Sequence, residues 1–159
     1  TSLLLGEYPP DVPDERVGEA LGKFTPEERT LMALDIFNSE FEDGGVHQFF
    51  FNSTGAFAPE IYDAFIAAGM KRQADILKRG MDMFRAPFPR TRETRSNAYI
   101  GRKDDEGFET GLSDLTDDFY ALDGGADVTH IGGSTQISGG PGIRDGMLRF
   151  AIEHKMLPC

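Results

Sequence analysis

The sequence predicts an all-α fold: a single compact multi-helix domain with a long acidic and basic loop and a glycine-rich connection before the last helix. Three observations predict it. Apolar residues recur at steps of three and four in several separate stretches. Helix-start signals precede those stretches, above all Thr25-Pro26-Glu27-Glu28. The 159 residues, 39% hydrophobic, suffice for one core and not for two.

Each element follows in chain order. Residues 1–24 read as an N-terminal arm with Pro9, Pro10 and Pro13, where Pro13-Asp14-Glu15 can start a short helix. Residues 25–159 read as the helical domain. Thr25 suits an N-cap, Pro26 the first helical position, and Glu28 completes a capping box. Leu31, Leu34, Phe37 and Phe41 continue the stripe until Gly44-Gly45 ends or bends the helix. His47 to Asn52 is an aromatic run too short for periodicity to assign. Pro59-Glu60 opens a helix with Ile61, Phe65 and Ala68 on one face and Gly69 as its break. The next spans about 71–84, through Ala74, Leu77, Met81 and Phe84.

From Ala86 to Leu112 the pattern dissolves into Pro, Arg, Asp and Gly, a long surface loop with room for a short strand near Asn97 to Ile100. Ser113 suits the cap of a helix through about Leu122, which places Asp114, Asp117 and Asp118 at its positive end. Residues 124–142 hold seven glycines and read as a flexible loop. The closing helix runs from about Ile143 to Lys155, with Ile143, Met147, Phe150 and Ala151 inward.

Charge narrows the function. The net value of −11 divides into −8 over residues 1–46, +5 over 47–103, −9 over 104–128 and +1 over 129–159. So negative a chain is a poor direct binder of nucleic acid or anionic lipid. The single Cys159 excludes a disulfide-stapled secreted scaffold. No apolar window reaches the length of a membrane span, and Leu3 to Leu5 is too short for a signal core, so the expected compartment is the cytoplasm. Acidic and basic blocks either pair with each other on folding or leave an anionic surface for a basic partner.

Catalytic and cofactor motifs are weak. His47, His130 and His154 lie at no ligand spacing, and no cofactor or metal is expected. His47 with Glu42 and Asp43 is the best candidate for a metal-dependent enzyme, against the simpler reading of a helix-end histidine bonded to backbone. The run Gly132 to Gly140 lacks the Lys-Ser/Thr of a phosphate loop. Asn52-Ser53-Thr54 matches a glycosylation acceptor without a secretory context.

The most distinctive stretch is Asp43-Gly44-Gly45-Val46-His47-Gln48-Phe49-Phe50-Phe51-Asn52-Ser53-Thr54-Gly55. The glycine pair can turn the chain and let its backbone approach another element. Three successive Phe side chains point in different directions, and Asn52, Ser53 and Gly55 supply turn chemistry. This stretch, with the Thr25 capping box, Pro59 to Phe84, Asp118-Phe119-Tyr120 and the closing helix, resembles the bacterial DNA-mimic protein family. The resemblance implies an all-α, dimeric domain without known enzymatic activity. It makes Gly44, Gly45, His47, Gln48, Phe49, Phe50, Asn52 and Ser53 a mainly structural motif. It also implies an acidic surface that imitates the phosphates of duplex DNA and occupies a basic DNA-binding protein.

The acids available for that surface fall in rows. Asp11, Asp14, Glu15 and Glu19 form one if their segment is helical, Glu40, Glu42 and Asp43 extend it, and Asp104, Asp105, Glu106, Glu109, Asp114, Asp117 and Asp118 form another. Acids three or four apart on a helix lie about 5–6 Å from each other, a spacing suited to a phosphate array. Two other readings stand beside mimicry: a dimeric binding or immunity-type protein using the aromatics and the 86–112 segment, and the metal-dependent enzyme at His47.

Overall fold

The computed structural model describes residues 21–102, 104–122, 127–131, 134–138 and 142–157, the two short strands by their backbone alone. The chain is an all-α domain. Its helices are α1 (Pro26–Phe51), α2 (Ala58–Ala67), α3 (Lys71–Asp82), α4 (Arg92–Ile100), α5 (Glu106–Ala121) and α6 (Ile143–Glu153). A 3₁₀ turn, Ser53–Phe57, joins α1 to α2, and strands β1 (Asp127–Ile131) and β2 (Ser134–Ser138) precede α6. The expected early helix at Pro13-Asp14-Glu15 lies outside the described residues.

Helix α1 is the axis of the fold, packed by α2, α5 and α6. Its start follows the sequence signal: Thr25 Oγ1 accepts from the Glu28 amide at 3.2 Å, and the Glu28 carboxylate accepts from the Thr25 amide at 2.9 Å. The glycine pair bends the helix without ending it. Gly44 (φ −163°, ψ 20°) and Gly45 (φ 69°, ψ −162°) leave helical geometry, and the chain re-enters the helix through Phe51. His47 to Phe51 is therefore helical.

Phe37 is the hub of the core. Its ring centroid lies 5.0 Å from Phe49, 5.1 Å from Phe119, 5.4 Å from Phe65 and 5.8 Å from Phe41. All five rings are buried, and stacked, edge-on or tilted pairs of this kind add about 0.5–1.5 kcal/mol each beyond their area. The three consecutive Phe residues divide as their directions require. Phe49 enters the Phe37 hub, Phe50 meets Phe84 and Phe88, and Phe51 meets Tyr99 and Phe84.

Three expectations are corrected. The 86–112 segment is not one long loop, and no strand occupies Asn97 to Ile100. It contains α4, capped by Thr91 Oγ1 accepting from the Thr94 amide, and the first two turns of α5. Helix α5 begins at the Asp105 cap, whose carboxylate accepts from the Gly107 amide at 3.0 Å, so Ser113 lies inside the helix. Phe108 and Leu112 bury in phase with Leu115 and Phe119. Residues 127–131 and 134–138 of the glycine-rich stretch form an antiparallel ribbon pairing Asp127 with Ser138 and Ile131 with Ser134. The β-branched alternation around the two-residue Gly132-Gly133 separation is the hairpin pattern.

Candidate recognition surface

The distinctive motif resolves into a corner built around two charges. At the C-terminal end of α1 the last carbonyls have no partner within the helix. Arg95, fully buried on α4, supplies donors to them. Its Nε donates to Phe50 O at 2.7 Å, one terminal nitrogen donates to Asn52 O at 2.9 Å, and the other to Pro89 O at 3.0 Å and to Arg90 O. A cation at this end also complements the helix dipole. Gly55 fits the same corner, since a Cβ there would lie 2.7 Å from Phe49 O and 3.0 Å from Arg95 Nε.

Glu40 closes the corner from the other side. Its carboxylate accepts from Asn52 Nδ2 at 2.7 Å, Thr54 Oγ1 at 2.7 Å and Gln48 Nε2 at 3.2 Å. Gln48, Asn52 and Thr54 are thus tied together by a half-buried carboxylate. This places Glu40 in the scaffold and removes it from the acidic row it was assigned to.

The kink has a packing purpose. A Cβ on Gly45 would lie 2.8 Å from Thr116 Cγ2, so α5 crosses α1 at the bend. Thr116 Oγ1 accepts from the Val46 amide at 3.1 Å, satisfying a donor that the bend frees. Opposite its buried Phe108, Leu112, Leu115 and Phe119, α5 has an outer side that faces solvent.

That outer side is a row of carboxylates. Glu106, Glu109, Asp114 and Asp117 are exposed, and α5 contains no basic residue. Asp105 caps the helix and lies 3.6 Å from Arg102; Asp118 pairs with Arg79 of α3; Glu42 pairs with Arg144 of α6 at 2.8 Å. Asp43, Asp104, Glu106, Asp114 and Asp117 make no ion pair with a described residue. Among the described residues the basic block reaches only the margin of this row. Arg90 is taken by Glu60 and Ala56 O, Arg92 donates to Phe51 O, and Arg95 is buried. Asp11, Asp14, Glu15, Glu19 and Lys103 lie outside the described residues.

The position of α5 also removes a structural reason for some of these acids. With the helix starting at Glu106, Glu106 and Glu109 sit in the first turn, where the dipole favours them. Asp114, Asp117 and Asp118 occupy its second half, with Asp118 in the last turn, where the dipole opposes negative charge.

His47 lies beside this row, past the bend rather than at a helix end. Its ring is 4.9 Å from Phe51 and 5.4 Å from Tyr99, and Nε2 is 4.0 Å from Glu109 Oε1. Glu109 accepts a hydrogen bond from the Tyr99 phenol; this bond first, and the carboxylate's charge second, hold that phenol above its ordinary pKa. Glu42 is turned to Arg144 instead of His47. Among the described residues no group of three or more His, Cys, Asp or Glu could hold a metal ion. An open cleft of about 410 Å³ lies instead between α1 and α2, lined by residues that include Arg29, Glu60 and Asp63.

Residues 22–132 match the family model of the DMP19-like proteins, well over half of the chain. The chain belongs to the DMP19-like protein family. This is a DNA-mimic protein family and not a known enzyme family. The DMP19-like match covers the whole Arg95–Glu40 corner and α5. It ends before β2 and α6, so the expected continuation of the resemblance into the closing helix is not part of it. No curated protein and no solved structure matches this DMP19-like chain. Among its described residues no helix is long and apolar enough to cross a membrane.

Sequence reasoning missed Glu40's structural part and Arg95 altogether. The signal for Arg95 was faint: an arginine four residues after the helix-capping Thr91. The signal for the early start of α5 was present in the spacing of Phe108, Leu112, Leu115 and Phe119.

Proposed function

We propose that this chain is a noncatalytic interaction protein whose α5 carboxylates, with Asp43 at the α1 bend, take the place of DNA phosphates on a basic DNA-binding protein. One observation carries the reading: a helix of the folded domain presents Glu106, Glu109, Asp114 and Asp117 outward with no base among them. Asp114 and Asp117 lie past the first turn of that helix and make no ion pair with a described residue, so neither its dipole nor a salt bridge accounts for them.

The geometry is of the right order. Glu106 to Asp117 spans about 16 Å at 1.5 Å per residue. Duplex DNA carries one charge per roughly 1.7 Å counting both strands, so the helix matches the charges facing one side of such a segment and not the whole duplex. The rigid corner at Arg95 and the Gly45–Thr116 contact fix the row relative to the bend, which limits the ordering cost on binding. Long-range attraction speeds encounter with a basic surface, and salt weakens it.

The test is capture of basic DNA-binding proteins on the immobilised chain at low and high salt, followed by elution with duplex DNA. The reading expects proteins retained at low salt, released by salt, and displaced by DNA. Retention that DNA does not displace contradicts it.

A further inference from the structure

Three rings from two helices meet at the surface beside α5. His47 lies 4.9 Å from Phe51, Phe51 lies 5.0 Å from Tyr99, and His47 lies 5.4 Å from Tyr99, measured between ring centroids. The Phe37 hub is closed to water, whereas each of these rings keeps part of its surface open. The His47 side chain is 45% exposed, and Ile100, the residue after Tyr99, is 60% exposed. Aromatic side chains held by their neighbours with one side open are enriched where proteins meet.

Glu109 borders the cluster. Its carboxylate accepts from the Tyr99 phenol and lies 4.0 Å from His47 Nε2, beyond hydrogen-bond reach. An ionised carboxylate has about four acceptor positions, and the phenol takes one. Among the described residues no Lys or Arg pairs with Glu109. One turn before Glu109 a similar place is filled from within the chain. Arg102 Cζ sits 4.3 Å from the centroid of the Phe108 ring, and the same guanidinium lies 3.6 Å from Asp105 and donates to Met83 O. A guanidinium suits such a place because its plane stacks on a ring while its N–H fork meets a carboxylate. It also sheds water more readily than an ammonium does.

We infer that Glu109, Tyr99 and His47 seat an arginine side chain of the basic protein that covers the α5 row. The inference rests on the reading of that row as the contact surface, and adds to it a point where the partner is held by more than charge. A phosphate presents such an arginine with an anion alone, so the rings favour this chain over duplex DNA at that arginine. Because the ring contact excludes water, salt weakens it less than it weakens the exposed carboxylates.

Fluorescence anisotropy of labelled oligoarginine and oligolysine peptides of equal length tests it on the full chain, with variants compared at equal folded fraction. Wild type is expected to bind oligoarginine more tightly, and Tyr99→Leu to narrow the difference between the peptides about threefold. Glu109→Gln is expected to weaken oligoarginine binding about threefold more than Glu106→Gln, which removes the same charge one turn away. Both glutamates are exposed, so neither variant opens the core. Saturating oligoarginine is expected to move the Tyr99 ionisation downward, because a cation at Glu109 offsets the charge that raises it. A peptide difference unchanged by Tyr99→Leu overturns the inference. Equal weakening by the two glutamine variants does so too, as does a Tyr99 ionisation that the peptide leaves in place. Asp114→Lys with Asp117→Lys separates the inference from the reading beneath it. Peptides indifferent to that change contradict the acidic row itself, whereas peptides that respond to it and not to Tyr99→Leu contradict the arginine seat alone.

Discussion

The corner at the end of α1 and the outer side of α5 handle charge in opposite ways. In the corner, Arg95 is fully buried and spends its donors on backbone carbonyls, while Glu40 gathers three side-chain donors. On α5, Glu106, Glu109, Asp114 and Asp117 face outward, without a basic residue on their helix. The difference teaches where stability ends and recognition begins. A satisfied buried charge rigidifies the fold, whereas exposed like charges repel one another and contribute little to it. The residues most distinctive in sequence belong to the first group, so the family motif describes the scaffold.

The comparison breaks most visibly at Arg95. Arg95→Met removes donors from Phe50 O, Asn52 O and Pro89 O inside the core, and is expected to cost about 3–5 kcal/mol of unfolding free energy by urea denaturation. A loss below 1 kcal/mol would show that the corner is not the anchor. Gly45→Ala comes next. Its φ of 69° and ψ of −162° lie in a region essentially open to glycine alone, which costs about 1–3 kcal/mol for another residue, and contact with Thr116 adds about 1–3 kcal/mol. Gly69→Ala is the control, with φ 71° and nothing within 4 Å of the added carbon, and is expected to lose only the backbone part. Equal losses at the two glycines would remove the packing role of the bend.

Glu40→Ala is expected to cost about 1–3 kcal/mol, because the donors of Gln48, Asn52 and Thr54 lose a shared acceptor. The smallest effect is at the margin of the two regions, on Tyr99. Glu109 holds its phenol above the usual range, so the folded protein favours the protonated form. The associated stability is fully present below the unfolded-state pKa and is lost as pH rises through the raised folded value. Glu109→Gln is expected to move the Tyr99 ionisation downward in a spectrophotometric titration, with Tyr99→Phe identifying the signal. An unchanged titration would mean that Glu109 faces solvent alone.

Much of the fold was legible where local signals and burial agree. The Thr25 capping box, the Phe37 and Phe41 stripe, Pro59 and the Ile143 to Phe150 spacing each name their helix. Helix α4 was not legible because it buries an arginine instead of an apolar stripe, and the carbonyls of α1 that this arginine meets are more than forty residues away. The start of α5 was obscured by Gly107, Gly111 and a run of acids that reads equally well as solvated loop. The candidate surface was legible as a list of acids and not as a surface. Glu40 turns inward, Glu42 and Asp118 pair with arginines, and only the crossing of α5 over the bend decides which of the others share a side.

The central claim is that the α5 carboxylates serve recognition and not folding. It is tested most directly by the DNA-displaceable protein that the Asp114→Lys/Asp117→Lys chain retains at low salt, relative to wild type at equal folded fraction. The account predicts that this retention falls about tenfold or more, as removal of charges from an electrostatic interface requires. Retention of the same proteins in the same amount would contradict it.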